Sequence, residues 1–147
     1  MAGKVIDVDH IGVSVSDMTQ ARRFFEALGA TVTPDGVHED PKVGKIVGIE
    51  DALIRICLAT LHGKNFELLE YIDPLGKQAV NHRPCDPGHL HIALQVEDIE
   101  AMTHRMREHG FEPANPVQHN PTGAPLSANY CYGFDGLVFE LIELDAA

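Results

Sequence analysis

Four residues of types that commonly bind metal ions occur as two matched pairs along the chain. His10 opens the segment HIGVSVSD, and His91 opens the similar segment HIALQVED. Glu67 follows the phenylalanine of FELLEY, and Glu140 holds the same position in FELIEL. Two neutral imidazoles and two carboxylates would balance the charge of one divalent cation. These residue types therefore favour metal binding.

The two pairs belong to a longer internal repeat. An offset of 81 residues aligns the two histidine segments without a gap over twenty positions. In each copy an aspartate suited to a helix N-cap precedes apolar residues spaced three and four apart, and a glycine suited to a helix end follows them. Each copy therefore predicts a strand and then a helix. The matched residues are Ile11 and Ile92, Val15 and Val96, Asp17 and Asp98, and Gly29 and Gly110.

Each copy has room for two further strands between its helix and its glutamate-bearing strand. DALIRICLAT is the clearest candidate in the first copy and SANYCYGF in the second, whereas VTPDGVHEDPKVGK and PVQHNPTGAP have the composition of loops. We therefore predict an α+β fold, with βαβββ modules at residues 1–73 and 88–147 joined by a linker at 74–87. The modules are expected to pair into one curved, mixed-sheet cup with the helices outside.

Strand alternation places the candidate ligands on one side of the predicted sheets. In the first strand Ile11 and Val13 share the apolar face, so His10 lies on the other face. In the closing strand Phe66 forms the apolar face and Glu67 lies opposite it. The second copy alternates in the same way. A glutamate within an apolar strand is costly unless its charge is compensated, which a shared cation would do. The predicted metal ligands are His10, Glu67, His91 and Glu140.

Three other residues are candidates for binding a substrate. Arg55 stands in an otherwise apolar strand and would either hold a substrate carboxylate or phosphate or pair with a nearby acid. Tyr130 and Tyr132 share a strand face and would either donate hydrogen bonds in the cup or pack in the core with the hydroxyl at the rim.

The remaining acids, histidines and cysteines have simpler interpretations. Glu70 and Glu143 fall on the core-side face near strand ends, where we expect them to be solvated or salt-bridged. His89 shares the strand parity of His91 and is a competing ligand without a partner in the first copy. Cys57 and Cys131 lie in apolar stretches and are expected to be buried, reduced thiols, with a reactive thiol near a site as the alternative.

Net charge and hydropathy exclude some classes of partner. The formal net charge is −11 and no run of Lys and Arg offsets it, so nucleic-acid binding is not expected. No segment approaches the roughly 18 apolar residues of a membrane span. The chain is expected to be a soluble cytoplasmic protein that acts on a small molecule.

The motifs resemble those of the vicinal oxygen chelate superfamily, which includes glyoxalase, methylmalonyl-CoA epimerase, extradiol dioxygenases and bleomycin-resistance proteins. The resemblance lies in DHIGVSVSDMTQARRFFEALG, FELLEY, HLHIALQVEDIEAM and DGLVFELIE and covers nearly the whole chain. It implies paired βαβββ modules, a homodimer, and a divalent metal ion (Zn, Ni, Co, Mn or Fe). It also implies the ligands that alternation selects: His10, Glu67, His91 and Glu140.

The resemblance also implies a reaction class. Ligands from both closing strands favour a lyase or isomerase of the glyoxalase or epimerase type, which moves a proton through an enolate of a carbonyl substrate. The alternatives are an Fe(II)-dependent extradiol dioxygenase and a non-catalytic resistance protein that sequesters a drug. GFDG stands where many relatives have DPDG, so this turn departs from the family pattern.

Three acids are candidate bases, and one loop is a candidate lid. Glu140 is the first choice and Glu67 the second, because each is a ligand that could detach. Glu50 sits roughly where epimerases of the superfamily place a base that is not a ligand, although it also suits a surface position. The polar segment 37–45 is predicted either to close over the substrate or to be a plain connection.

Overall fold

The computed structural model describes residues 3–79 and 81–145. The chain divides between Gln78 and Ala79 into two compact units, here called the first and second units. This boundary falls inside the segment 74–87 for which the sequence predicts a linker. Within the described residues, no helix is long and apolar enough to cross a membrane.

The first unit contains one mixed sheet of five strands and two helices. Strand β1 pairs in parallel with β5, and the other pairings are antiparallel, in the order β1-β5-β4-β2 with β3 also on β4. The elements are β1 (Ile11–Ser14), α1 (Met18–Ala27), β2 (Thr31–Val32), β3 (Gly36–His38), α2 (Pro41–Val47), β4 (Leu53–Leu61) and β5 (Lys64–Asp73).

The second unit repeats this topology with one helix fewer. Its sheet has the order β6-β10-β9-β7, with β6 parallel to β10 and β8 also on β9. The elements are β6 (Ile92–Gln95), α3 (Ile99–Glu108), β7 (Glu112–Pro113), β8 (Gln118–His119), β9 (Leu126–Tyr132) and β10 (Val138–Leu144). The prediction of an α+β fold built from a repeated module is confirmed.

The predicted helix caps form in both copies. Asp17 accepts a hydrogen bond from the backbone N–H of Gln20 at 3.1 Å, and Asp98 accepts one from Ala101 at 3.0 Å. These bonds satisfy amide groups that the first helical turn leaves without partners. The N terminus of α3 has a second acceptor, because Glu143 accepts the N–H groups of Asp98 and Ile99 at 2.9 and 3.2 Å.

The apolar face of each sheet packs against its helix as alternation predicts. In the first unit Phe66 and Leu68 of β5 are buried, as are Phe24 and Phe25 of α1. In the second unit Phe139 and Leu141 of β10 and Met106 of α3 are buried in the same way. Burial of these side chains supplies the main stabilisation of each unit. The intervening glutamates are thereby left on the opposite sheet face.

The prediction of a loop at residues 32–45 is wrong. This stretch contains strand β3 and the start of helix α2. Asp40 caps α2 by accepting the Lys42 N–H at 2.8 Å, and Gly48 ends the helix with a φ of 73°. The segment 116–125, also predicted as a loop, contains strand β8 and a short 3-10 turn at Pro121–Gly123. These four short elements lack an extended apolar period, because few of their side chains are buried.

Gly133 leaves room for the buried ring of Phe111. A Cβ atom built at Gly133 would lie 2.0 Å from Cε1 of that ring, whereas one at Gly36 would meet nothing closer than 3.8 Å. We expect Gly133→Ala to lower the free energy of unfolding by about 1–3 kcal/mol, the usual cost of overpacking a core. Urea denaturation would measure this change. Gly36→Ala is the control, and equal midpoints for the two variants would contradict the prediction.

Candidate metal centre

The first His–Glu pair is assembled by the parallel pairing of β1 with β5. Gly12 of β1 lies opposite Glu67 of β5. His10 is the residue before β1, two positions from Gly12, so alternation places its side chain on the same sheet face as that of Glu67. The Nε2 atom of His10 and the Oε2 atom of Glu67 are 3.2 Å apart. Both side chains are partly exposed, at 37% and 29%.

The second pair is built in the same way from β6 and β10. Ala93 lies opposite Glu140, and His91 precedes β6 by one residue. The distance from Nε2 of His91 to Oε2 of Glu140 is again 3.2 Å. The repeat therefore produces two His–Glu pairs with the same donor atoms and the same separation.

The separation within each pair fits two ligands of one metal ion. Neighbouring donor atoms about 2.0–2.1 Å from an ion lie roughly 2.8–3.4 Å apart in octahedral or tetrahedral geometry. Within either unit alone, the described residues include no group of three or more His, Cys, Asp or Glu side chains that could hold a metal ion. Each unit thus offers one pair of candidate ligands, and the four-ligand site stays a prediction that requires both pairs.

The contact between His10 and Asp9 was not foreseen from the sequence. Nδ1 of His10 lies 2.7 Å from Oδ2 of Asp9. This hydrogen bond, together with the charge of Glu67, raises the pKa of His10 above its usual value and outweighs the opposing effect of burial. The available signal was the dipeptide Asp9–His10 itself, since a carboxylate beside a ligand histidine often fixes its ring.

Tyr130 adjoins the second pair. It lies directly opposite Glu140 across the β9–β10 ladder, and its hydroxyl is 3.4 Å from Nε2 of His91. The two rings are 5.0 Å apart between centroids, with planes tilted by 39°. Burial and then the charges of Glu140 and Tyr132 raise the pKa of Tyr130, so its hydroxyl stays protonated and able to donate. Tyr132 lies two residues further along β9 on the same parity and is more exposed.

Comparison with known proteins shows the family. The sequence profile of the glyoxalase-like domain matches residues 8–127, more than half of the chain. The chain belongs to the glyoxalase-like domain family. This family and its structural neighbours lie within the vicinal oxygen chelate superfamily, so the resemblance seen in the sequence is confirmed. None of the curated proteins matches the chain.

Solved structures support the fold of this glyoxalase-like protein. A glyoxalase family protein from Bacillus cereus is 23% identical, with a TM-score of 0.84 over 98% of this chain and 97% of that one. One from Enterococcus faecalis is 22% identical, with a TM-score of 0.65 over 93% and 97%. The fosfomycin resistance protein FosX from Listeria monocytogenes, solved with Mn(II) and sulfate, is 17% identical, with a TM-score of 0.63 over 95% and 93%. Divalent metal use is thus found in the superfamily.

Arg55 of the glyoxalase-like protein lies away from the His10–Glu67 pair. It is opposite Glu70 in the β4–β5 ladder, so it shares the helix-side face of the sheet and not the face of Glu67. Its guanidinium lies 2.8 Å from Glu70 and 3.6 Å from Asp35, and Asp35 also binds Arg22 of α1. The structure favours the second of the two interpretations, in which Arg55 pairs with nearby acids.

The other sequence candidates are less closely tied to the two pairs. Glu50 is exposed in the turn between α2 and β4. Glu143 caps α3, as described above, and so is bound to backbone amides. The Nε2 atom of His89 is buried and has no hydrogen-bond partner among the described residues. The described residues place His89 in no group of three or more side chains that could hold a metal ion. The catalytic role of Glu50 stays a prediction.

The three cysteines differ in burial, which leads to a prediction of their reactivity. Cys57 and Cys131 are buried and Cys85 is exposed. Burial raises the pKa of the Cys57 thiol and raises the pKa of Cys131 to about 11, so both stay protonated at pH 8. We expect one fast-reacting thiol per chain with an aromatic disulfide reagent, and three after unfolding in guanidinium. Fast modification of the folded Cys85→Ser variant would contradict this expectation.

Proposed function

We propose that this glyoxalase-like protein is a divalent-metal-dependent lyase or isomerase that acts on a small carbonyl compound. The observation that carries the proposal is the matched pair of His–Glu contacts, His10 with Glu67 and His91 with Glu140, each at 3.2 Å. Together they would supply two imidazoles and two carboxylates to one ion. The bound ion would polarise a substrate carbonyl and make the neighbouring carbon more acidic.

The chain's own residues would move the proton. Glu140 is the favoured base because it lies beside both His91 and Tyr130, and its side chain is only 22% exposed. The partly desolvated Glu140 carboxylate would take the proton from the carbon next to the substrate carbonyl, which leaves the substrate as its enolate. It would then return the proton to another position or to the opposite face of that enolate. Tyr130 would donate a hydrogen bond to a substrate oxygen, since its hydroxyl stays protonated. Glu67 would serve as the second candidate base and Glu50 as the third.

The first experiment measures metal binding. Protein without a histidine tag would be stripped with a chelator and titrated calorimetrically with Mn(II), Co(II), Ni(II), Zn(II) and, without oxygen, Fe(II). We expect about one ion per chain for at least one metal, as a four-ligand site requires. Absence of binding for all five metals would overturn the proposal.

The second experiment identifies the reaction class. The metal-loaded protein would be incubated in deuterium oxide with hemithioacetals of 2-oxoaldehydes, branched malonyl thioesters and fosfomycin, and followed by NMR. Deuterium incorporation next to a carbonyl supports the proposed proton transfer. Oxygen consumption with catechols would instead favour an Fe(II) dioxygenase. Tight binding without exchange or turnover would favour a sequestering protein.

A homodimer is part of the proposal. The chain has a mass of 16.1 kDa, so light scattering after gel filtration should give about twice that value. Comparing metal-free with metal-loaded protein would show whether assembly depends on the ion. A monomer in both forms would contradict the proposed dimer while leaving the reaction class to the experiments above.

A further inference from the structure

The two His–Glu pairs hold their histidines differently. In the first unit the Asp9 carboxylate lies 2.7 Å from Nδ1 of His10, while Nε2 of the same ring faces Glu67 at 3.2 Å. When Nδ1 carries the proton and donates a hydrogen bond to Asp9, the lone pair is left on Nε2. Nε2 is the ring nitrogen that faces the Glu67 carboxylate. The contact therefore selects both the tautomer and the ring orientation that a metal ion would need.

The backbone beside His10 is also held. The side-chain amide of Asn65 donates to the carbonyl of Asp9 at 3.3 Å, and the hydroxyl of Thr60 donates to the Asn65 side-chain oxygen at 3.0 Å. Thr60 and Asn65 face each other where β4 and β5 meet. A chain of hydrogen bonds thus ties the residue ahead of β1 to the β4–β5 hairpin and limits the movement of His10.

The second copy of the repeat has neither feature. Leu90, which is 82% exposed, precedes His91 where Asp9 precedes His10. The offset of 73 that relates the glutamate-bearing strands places the buried Val138 at the position of Asn65. His91 instead packs against Tyr130. The chain therefore contains its own comparison between a histidine whose Nδ1 atom contacts the carboxylate of the preceding residue and a histidine that is preceded by a leucine.

We propose that Asp9 is a positioning residue for the metal ligand His10, and that Asn65 supports it through the Asp9 carbonyl. This inference rests on the proposed metal-dependent function. Partners of ligand histidines commonly change metal affinity by about 10–100-fold when they are removed. The side chain of Asp9 is 94% exposed, so water weakens its contact and the expected loss lies near 10-fold.

The test replaces Asp9 with the residue that stands in the second copy. Asp9→Leu removes the acceptor, whereas Asp9→Asn keeps an oxygen that can accept a hydrogen bond from Nδ1–H. Asp7→Leu is the matched control, because it removes one exposed acid from the same segment without touching His10. Asn65→Val removes the backbone support alone. The readouts are Co(II) affinity by calorimetry and the tautomer of His10 in metal-free protein by nitrogen NMR at pH 8.

We expect Asp9→Leu to bind Co(II) about 10-fold more weakly and to lose the preference for the Nδ1–H tautomer. Asp9→Asn should retain the tautomer and most of the affinity, Asn65→Val should lose affinity by a few fold, and Asp7→Leu should match the wild type. Wild-type affinity and tautomer in Asp9→Leu would overturn the inference. Failure of the wild type to bind any metal would instead overturn the proposed function, and the tautomer measurement would then still decide whether Asp9 orients the His10 ring.

Discussion

Replacing both His10 and His91 with alanine is expected to reduce metal content from about one divalent ion per chain to less than about 0.1. Each histidine supplies the only nitrogen donor of its pair, and its Nε2 atom lies 3.2 Å from the carboxylate oxygen that would share the ion. The two glutamates left in the double variant would offer oxygen donors alone, which bind transition metals more weakly than mixed nitrogen and oxygen sets. Elemental analysis after gel filtration, with Co(II) or Ni(II) added first, measures this change.

The control for this experiment also replaces two histidines. His82 lies in the exposed segment before β6, and His104 is an exposed residue of α3 whose ring pairs with Glu108. The His82→Ala, His104→Ala double variant should keep the wild-type metal content, since neither residue belongs to a predicted pair. An unchanged metal content in the His10, His91 double variant would place any metal site elsewhere in the chain.

The repeat allowed most of the fold to be predicted, because it shows twice how the same elements are ordered. Strand alternation at Phe66 and Phe139 gave the buried faces, and the caps at Asp17 and Asp98 gave the helix starts. Helix α2 was missed for a physical reason. It has only seven residues, of which Gly44 is the one buried, so no apolar period marks it in the sequence. Its signals are local: a capping Asp40, a proline in the first turn and a glycine at the end.

The side chains around the pairs were harder to predict than the pairs themselves. The sheet face of Glu67 could be predicted from the sequence, because its neighbours Phe66 and Leu68 are apolar and so mark the buried face. The face of Arg55 depends on which residue of β5 lies opposite it, and the register shifts between Leu53 and Ile54 just before it. A strand register with such a shift is not visible in one sequence. Contacts such as that of Asp9 with His10 depend on rotamers, which the alternation pattern does not specify.

The glutamates distinguish metal binding from structural roles most clearly, because each predicted ligand has a second glutamate three residues further along the same strand. Glu67 and Glu140 face the histidines, whereas Glu70 pairs with Arg55 and Glu143 accepts two amides of α3. Glutamine preserves the size of the side chain but removes its charge. Glu67→Gln and Glu140→Gln should each weaken metal binding on the order of 100-fold, since a four-ligand site shares a large binding free energy among few donors.

Removing the favoured base should also lower the rate of the reaction. With a substrate that exchanges its α-proton, Glu140→Gln should reduce turnover by about 10²–10⁴-fold even at saturating metal, the usual contribution of a general base. Glu70→Gln and Glu143→Gln should keep both metal affinity and turnover. Either variant should instead lower the free energy of unfolding by up to about 1 kcal/mol. Glu70→Gln weakens a partly exposed ion pair, and Glu143→Gln weakens a helix cap. If Glu143→Gln abolished metal binding and Glu140→Gln did not, the face assignment of β10 would be wrong, and with it the proposed ligand set.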